Sequence, residues 1–279
     1  MTKPEPTDEQ YQAALWQTCD LADHLLAGVS AGSLWPDVIE GSSMAADNAE
    51  TEPFQLSHVV QTLLYVAIEH LHATAGLVRK AGLLHNAPPF TLCRTAVETA
   101  ATAYWILSPN EQKLRLKNHL TYMRQDTFDY EQVSKLIADR FGQPMPDIAN
   151  RRSWADKIKT KHHITGLGNK LDLNRMIADV DTAIAVQDDR TNDHHIEIYW
   201  KTASGFIHGR QWALLNVLVR EQVTPLGNAT ATVKLSSTNS RVLWGAAAAY
   251  ELINRAWHLY YTACGHDDPN SDIGQPSTS

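Results

Sequence analysis

The sequence predicts an all-α protein, an antiparallel bundle of about six or seven helices. Three observations lead there. Apolar residues recur at intervals of three and four through most of the 279 residues, the period of a helix with one buried face. Hydrophobic residues make up 43% and charged residues 20%, so a chain of this length can bury a sizeable core without disulfide or metal staples. Gly (14) and Pro (12) are at ordinary levels and eight Trp supply bulk, which excludes collagen-like, low-complexity and wholly disordered chains.

After a disordered stretch over residues 1–7, a first helix is expected from about Asp8 to Leu26, ending before Gly28 and Gly32. Residues 28–53, rich in Gly, Ser, Asp and Pro, read as an irregular connection. Glu52 to Lys80 carries two adjacent apolar stripes, Val59/Leu63/Val66/Ala73 and Leu56/Val60/Leu64/Ala67/Leu71. A helix apolar over that much of its circumference lies inside a bundle. Pro88 and Pro89 suit the first turn of the next helix, where a missing N–H costs nothing. Its core face holds Cys93, Val97, Ala100, Tyr104 and Leu107, and it stops at Ser108-Pro109.

Asn110 to Phe141 is long and charge-laced, the pattern of an outer helix. Residues 143–170 read as a basic excursion with a short helix near Asp147–Ile158, followed by an amphipathic segment over Leu171–Val186. His194 to about Arg220 reads as a helix bent at Gly209, Thr224–Asn228 as a turn, and 229–235 as a minor β element. The last helix spans about Ser240 to Ala263, with Val242, Ala246, Ala249, Ile253, Ala256 and Tyr260 as its core stripe. Residues 8–263 therefore read as one domain, and 264–279 as a disordered tail.

With 24 Lys plus Arg against 31 Asp plus Glu, the net charge of −7 excludes a polyelectrolyte that coats nucleic acid over its whole surface. Cys19, Cys93 and Cys264 form no CxxC pair and fit a reducing compartment. No secretory signal or membrane span is evident, so a cytoplasmic protein without membrane contact is expected. A Gly-rich phosphate loop, HExxH, GxSxG and the kinase set are all missing.

Two segments carry chemistry. Arg94 and Glu98 stand four apart in an apolar helix, so both lie on one face and need partners. They form either a structural ion pair or, through the planar fork of Arg94, an anion clamp. In the second segment, His194, Glu197, Lys201, Ser204 and His208 fall on one helix face beside apolar Trp200, Ala203, Phe206 and Ile207. That face reads either as solvated surface or as a proton-transfer seam, because His titrates near neutrality and Lys can stabilise anionic charge.

RTAVETAATAYWILSP taken with YWKTASGFIHGRQWAL resembles a group of bacterial all-helical proteins. Their hallmarks are an Arg-x3-Glu helix ending in an aromatic-rich stretch and Pro, and a later Tyr-x4-Ser-x3-His helix. Arg94, Glu98, Trp105, Pro109, Tyr199, Ser204, His208, Gly209 and Trp212 carry the match, which covers about 35 residues directly. That group is distantly similar to the HEPN superfamily. The resemblance implies a HEPN-like bundle, RNA as partner, pairing of two copies of the chain, and metal-independent ribonuclease chemistry of a stress or defence system. It would make His208 the general acid or base, Lys201 the electrostatic stabiliser and Ser204 an orienting group, with Arg94, Glu98 and Tyr199 in a binding or structural polar network. The superfamily's Arg-x4–6-His pattern is not met upstream of His208, where Lys201 takes the Arg position. Arg79/His85 and Arg190/His195 satisfy the spacing outside the expected helix. A non-catalytic helical interaction module is the alternative.

Two further clusters stand out. Asp188, Asp189, Asp193, His194 and His195 read as a solvated helix start, so no metal and no cofactor are expected. Residues 151–170 hold six bases against Asp156 alone. Arg151, Arg152, Lys157, Lys159 and Lys161 are the expected phosphate contacts, with Lys170 beside them.

Overall fold

The computed structural model describes residues 5–167, 170–189, 191, 193–228 and 230–267. These residues form ten α-helices and one two-stranded antiparallel sheet. Helix α1 (Asp8–Ser30) opens with a capping box: Thr7 Oγ1 accepts from the Gln10 N–H at 3.3 Å, and Gln10 Oε1 accepts from the Thr7 N–H at 2.8 Å. After α2 (Ser43–Thr51) comes α3 (Leu56–Ala75), which widens into one π turn over Gly76–Lys80.

Helix α4 (Pro88–Leu107) is the centre of the bundle. Its small residues Ala96, Ala100, Ala101 and Ala103 are fully buried, as are Cys93 and Val97, so neighbouring helices approach it closely on several sides. Around it pack α3, α7 (Leu173–Gln187), α8 (His195–Ile207) and α10 (Asn239–Ala263), while α1 lies against α3 and α10. The apolar stripes expected on these helices face this core, with Ile253, Ala249 and Tyr260 of α10 at its middle. The Leu56/Val60/Leu64/Ala67/Leu71 stripe of α3 is wholly buried, whereas on the other Leu63 is buried, Val59 and Val66 are half-buried and Ala73 is exposed.

A smaller apolar cluster, Leu116, Leu120, Ala155, Ile158 and Ile164, joins α5 (Gln112–Phe141) to α6 (Ile148–Lys161). The far half of α5 leaves Val133, Leu136 and Phe141 in solvent, as its polar pattern predicts. No helix among the described residues is long and apolar enough to cross a membrane.

The fold departs from expectation at four places. Helix α2 lies inside the stretch read as irregular, because only Met44, Asp47 and Thr51 of its nine residues turn inward and no apolar period shows. The expected helix over 194–220 is broken: Gly209 at φ +61° reverses the chain, and α9 (Gln211–Val217) is a separate short helix. Next comes β1 (Val219–Gly227), which pairs with β2 (Thr230–Ser236) across what reads in the sequence as a helix end and a turn. β-Branched Val219, Val223 and Thr224 favour the strand, and Pro225 is tolerated because the hairpin has free edges. Finally, Cys264–Asp267 are not loose tail. Cys264 is buried, its carbonyl accepts from the Ile39 N–H at 2.9 Å, and the His266 ring bonds the Asp37 carbonyl at 2.7 Å. The rest of the expected tail, 268–279, and residues 1–4 lie outside the described residues.

Candidate functional site

The polar groups of α4 and α8 meet. Arg94 Nε donates to Ser204 Oγ at 2.9 Å, and Arg94 Nη1 pairs with Glu98 Oε2 at 3.0 Å. The same Glu98 oxygen accepts the indole N–H of Trp200 at 2.9 Å, and the Arg94 guanidinium lies 4.7 Å from the Trp200 ring centroid. Ser204 Oγ in turn donates to the Trp200 carbonyl at 2.9 Å. The result is a closed circuit in which each polar side chain satisfies another. It is not sealed in the core, since the Arg94 and Glu98 side chains remain 19% and 24% exposed. Trp200, which the sequence presents as a plain apolar neighbour, is the hinge of the network; its place four residues before Ser204 was the available signal.

Tyr199 does not join this circuit, contrary to the grouping drawn from the sequence. It is buried on the other side of α8, stacked on Phe90 and edge-on to Trp244, with its Oη 3.5 Å from the Phe90 carbonyl. Burial pushes its phenol well above the ordinary tyrosine range. Phe90 and Tyr199 are core.

The expected seam on α8 divides. Ser204 turns inward to Arg94, whereas Lys201 turns outward and binds Glu197 Oε1 at 2.5 Å. His194 Nδ1 lies 3.3 Å from the other Glu197 oxygen. Lys201 holds the Glu197 carboxyl below the usual carboxylate range, with His194 adding to the effect. His208 caps the C-terminal end of α8, exposed, and its backbone N–H bonds the Ser204 carbonyl at 3.2 Å. The imidazole of His208 hydrogen-bonds none of the described side chains, so the side chains of Lys201, Ser204 and His208 are not bonded to one another.

The other sequence candidates are held structurally. Arg79 pairs with Asp20 at 2.7 Å and Asp23 at 3.0 Å, stapling the end of α3 to α1, while His85 is exposed. Arg190 lies outside the described residues. His195 bonds Glu251 at 3.1 Å and Asp193 at 3.0 Å, which raises its pKa, chiefly through Glu251. Arg255 completes this cluster by pairing with Glu251 at 3.2 Å and Asp188 at 2.6 Å. The acidic and imidazole groups thus neutralise one another, and no set of three metal-binding side chains gathers among the described residues. Burial pushes Cys19, Cys93 and Cys264 up to about 11, so none offers a thiolate at neutral pH.

The expected phosphate contacts are divided too. Arg151 pairs with Asp126 at 3.1 Å, Arg152 with Glu131, and Lys161 with Glu50 at 2.6 Å. Lys157 and Lys159 are exposed on the same helix, outside these pairs.

Other buried polar groups escape sequence reading. Asp47 of α2 is fully buried and binds Arg115 of α5 through both carboxylate oxygens, at 2.6 and 3.2 Å. Arg115 also donates to the Pro109 and Asn110 carbonyls at 3.1 and 2.8 Å, tying α2 to the α4–α5 turn. His119 is fully buried, and Nε2 lies 3.1 Å from the Phe54 carbonyl. Its burial lowers the imidazole pKa to about 4.

Comparison of the chain with protein-family models, curated proteins and solved structures finds no match.

Proposed function

We propose that this chain is a non-catalytic helical interaction protein whose α4–α8 polar network fixes the register of the bundle. One observation supports this reading above others: Ser204, Glu98 and Lys201 are already bonded to other groups of the chain. Ser204 both accepts from Arg94 and donates to Trp200, Glu98 is shared by Arg94 and Trp200, and Lys201 is neutralised by Glu197. A hydroxyl, a carboxylate and a cation with their bonds satisfied elsewhere supply little to a reaction, which leaves the His208 imidazole without a bonded partner among them.

The second reading is a HEPN-like RNA-binding protein or metal-independent ribonuclease of a bacterial stress or defence system, completed by pairing two copies. Exposure favours it. His208, Arg210 and Trp212 all face solvent where α8 passes into α9, so a second copy could bring its own groups to His208. The imidazole would exchange the proton of a ribose 2′-hydroxyl while a cation steadies the phosphorane charge.

Incubating the purified chain with labelled single-stranded RNA in EDTA separates the two. The interaction reading expects no cleavage above a buffer control. Cleavage that disappears in His208→Ala and weakens in Lys201→Ala overturns it in favour of the nuclease.

A further inference from the structure

Between α5 and α6 lies a cavity of about 330 Å³, lined by none of the α4–α8 network residues, with Arg124, Arg151 and Arg152 on its wall beside Phe128, Trp154 and Asp156. We propose that this cavity binds a phosphorylated nucleoside, either free or as an unpaired residue of an RNA strand.

Charge is the first reason. Three arginines and one carboxylate, Asp156, line the cavity in a chain whose overall balance is acidic. The acids that pair with Arg151 and Arg152, namely Asp126 and Glu131, lie outside the cavity lining.

The donors that remain are the second reason. A guanidinium carries five N–H groups in a planar fork that matches phosphate. Arg151 uses Nη1 on Asp126, and Arg152 uses Nη2 on Glu131. Arg151 is held further by aromatic rings, its Cζ lying 4.9 Å from the Phe54 centroid and 5.4 Å from that of Tyr130. A fork stacked in this way makes its remaining hydrogen bonds in its own plane, and little conformational entropy is lost when an anion arrives.

The third reason is the aromatic wall. Phe128 is 37% exposed, and Lys170 Nζ stands 5.3 Å from its ring centroid. Trp154 is fixed by its indole bond to the Glu52 carbonyl at 3.0 Å and by edge contacts with Phe54 and His119. A held indole and an exposed phenyl ring among arginines suit a base bearing a phosphate, because stacking and phosphate contact are satisfied together. Size limits the ligand, since 330 Å³ is near the lower end of the roughly 300–1,000 Å³ of small-molecule sites. One nucleotide fits that bound better than a dinucleotide.

The test is titration calorimetry of the full chain with adenosine 5′-monophosphate, adenosine, inorganic phosphate and a ten-residue single-stranded oligoadenylate. The proposal expects the monophosphate to bind at least tenfold more tightly than adenosine or phosphate. Arg152→Ala and Phe128→Ala, both at partly exposed positions that leave the core intact, should each weaken it at least tenfold with unchanged circular dichroism. Binding of the oligonucleotide but not the monophosphate, with the same loss in both variants, also supports the site and assigns it to RNA. Binding of neither probe, affinity unchanged in both variants, or phosphate bound as tightly as the nucleotide overturns it.

Discussion

The phenol of Tyr199 occupies the space that a side chain at Gly245 would need: a Cβ built there lies 2.1 Å from Tyr199 Oη and 2.3 Å from Cζ. Helices α8 and α10 therefore meet through a large ring on one and a missing side chain on the other. Gly245→Ala should destabilise the fold by about 1–3 kcal/mol, the usual cost of overpacking a core. Tyr199→Phe should cost no more than about 1 kcal/mol, because its hydroxyl makes only weak bonds, to the Phe90 carbonyl at 3.5 Å and to the Cys93 thiol. Urea unfolding measures both. If the order were reversed, Tyr199 would belong to a polar network and not to the core.

What the sequence discloses and what it conceals follow from this contact. The stripes of α3, α4 and α10 are legible because many apolar residues repeat at one period, and burying them admits few arrangements. Gly245 is illegible, since the absence of a side chain shows no period and its reason lies on another helix. The meeting of Arg94 with Ser204 is half legible: isolated polar groups on apolar faces must find partners, but Trp200 hides its N–H inside an apolar residue type. Helix α2 and strand β1 are concealed for the opposite reason. Each has too few buried apolar residues to display its period, and tertiary partners decide its form.

The Glu98 carboxylate is the common acceptor of Arg94 and Trp200, so Glu98→Ala leaves both donors short of a partner. Arg94 keeps Ser204 and is 19% exposed, so water reaches it and it is not stranded as a wholly buried charge would be. The expected loss is about 1–3 kcal/mol, the range for bonds to charged groups. Glu98→Gln should recover part of it by still accepting from the indole. Thermal and urea unfolding of the two variants decide the matter, and a melting temperature unchanged in Glu98→Ala would remove the network from any role in stability.

The Asp47–Arg115 pair is a sharper case, with side chains 0% and 9% exposed. Asp47→Ala leaves the guanidinium with its Pro109 and Asn110 carbonyl contacts but no counter-charge in a dry interior. A loss of about 3–5 kcal/mol is expected. Asp47→Ala combined with Arg115→Met should be less damaging than the sum of the two single changes, because the double variant buries no lone charge. A double-mutant cycle from urea unfolding gives the coupling directly. Additive losses would show that the pair is not energetically linked.

His119 sets a pH dependence whose sign follows from its burial. The imidazole titrates at about 4 when folded, against about 6.5 in the unfolded chain. Between these values the unfolded state binds the proton and the folded state does not, so stability falls as pH drops through this window. A single site with this displacement removes roughly 2 kcal/mol between pH 7 and pH 5. His119→Gln keeps a donor for the Phe54 carbonyl, now 3.1 Å from Nε2, but cannot take up a proton. The variant should lose some stability at pH 7 through altered packing against Trp154, whose ring lies edge-on at 5.9 Å. Its further loss on acidification should be smaller than that of the parent chain by the same roughly 2 kcal/mol. Urea unfolding of both proteins at pH 7 and pH 5 supplies the four free energies. Parallel losses in the two would mean that His119 is protonated as readily in the folded chain as in the unfolded one, which a buried ring with no acidic neighbour does not allow.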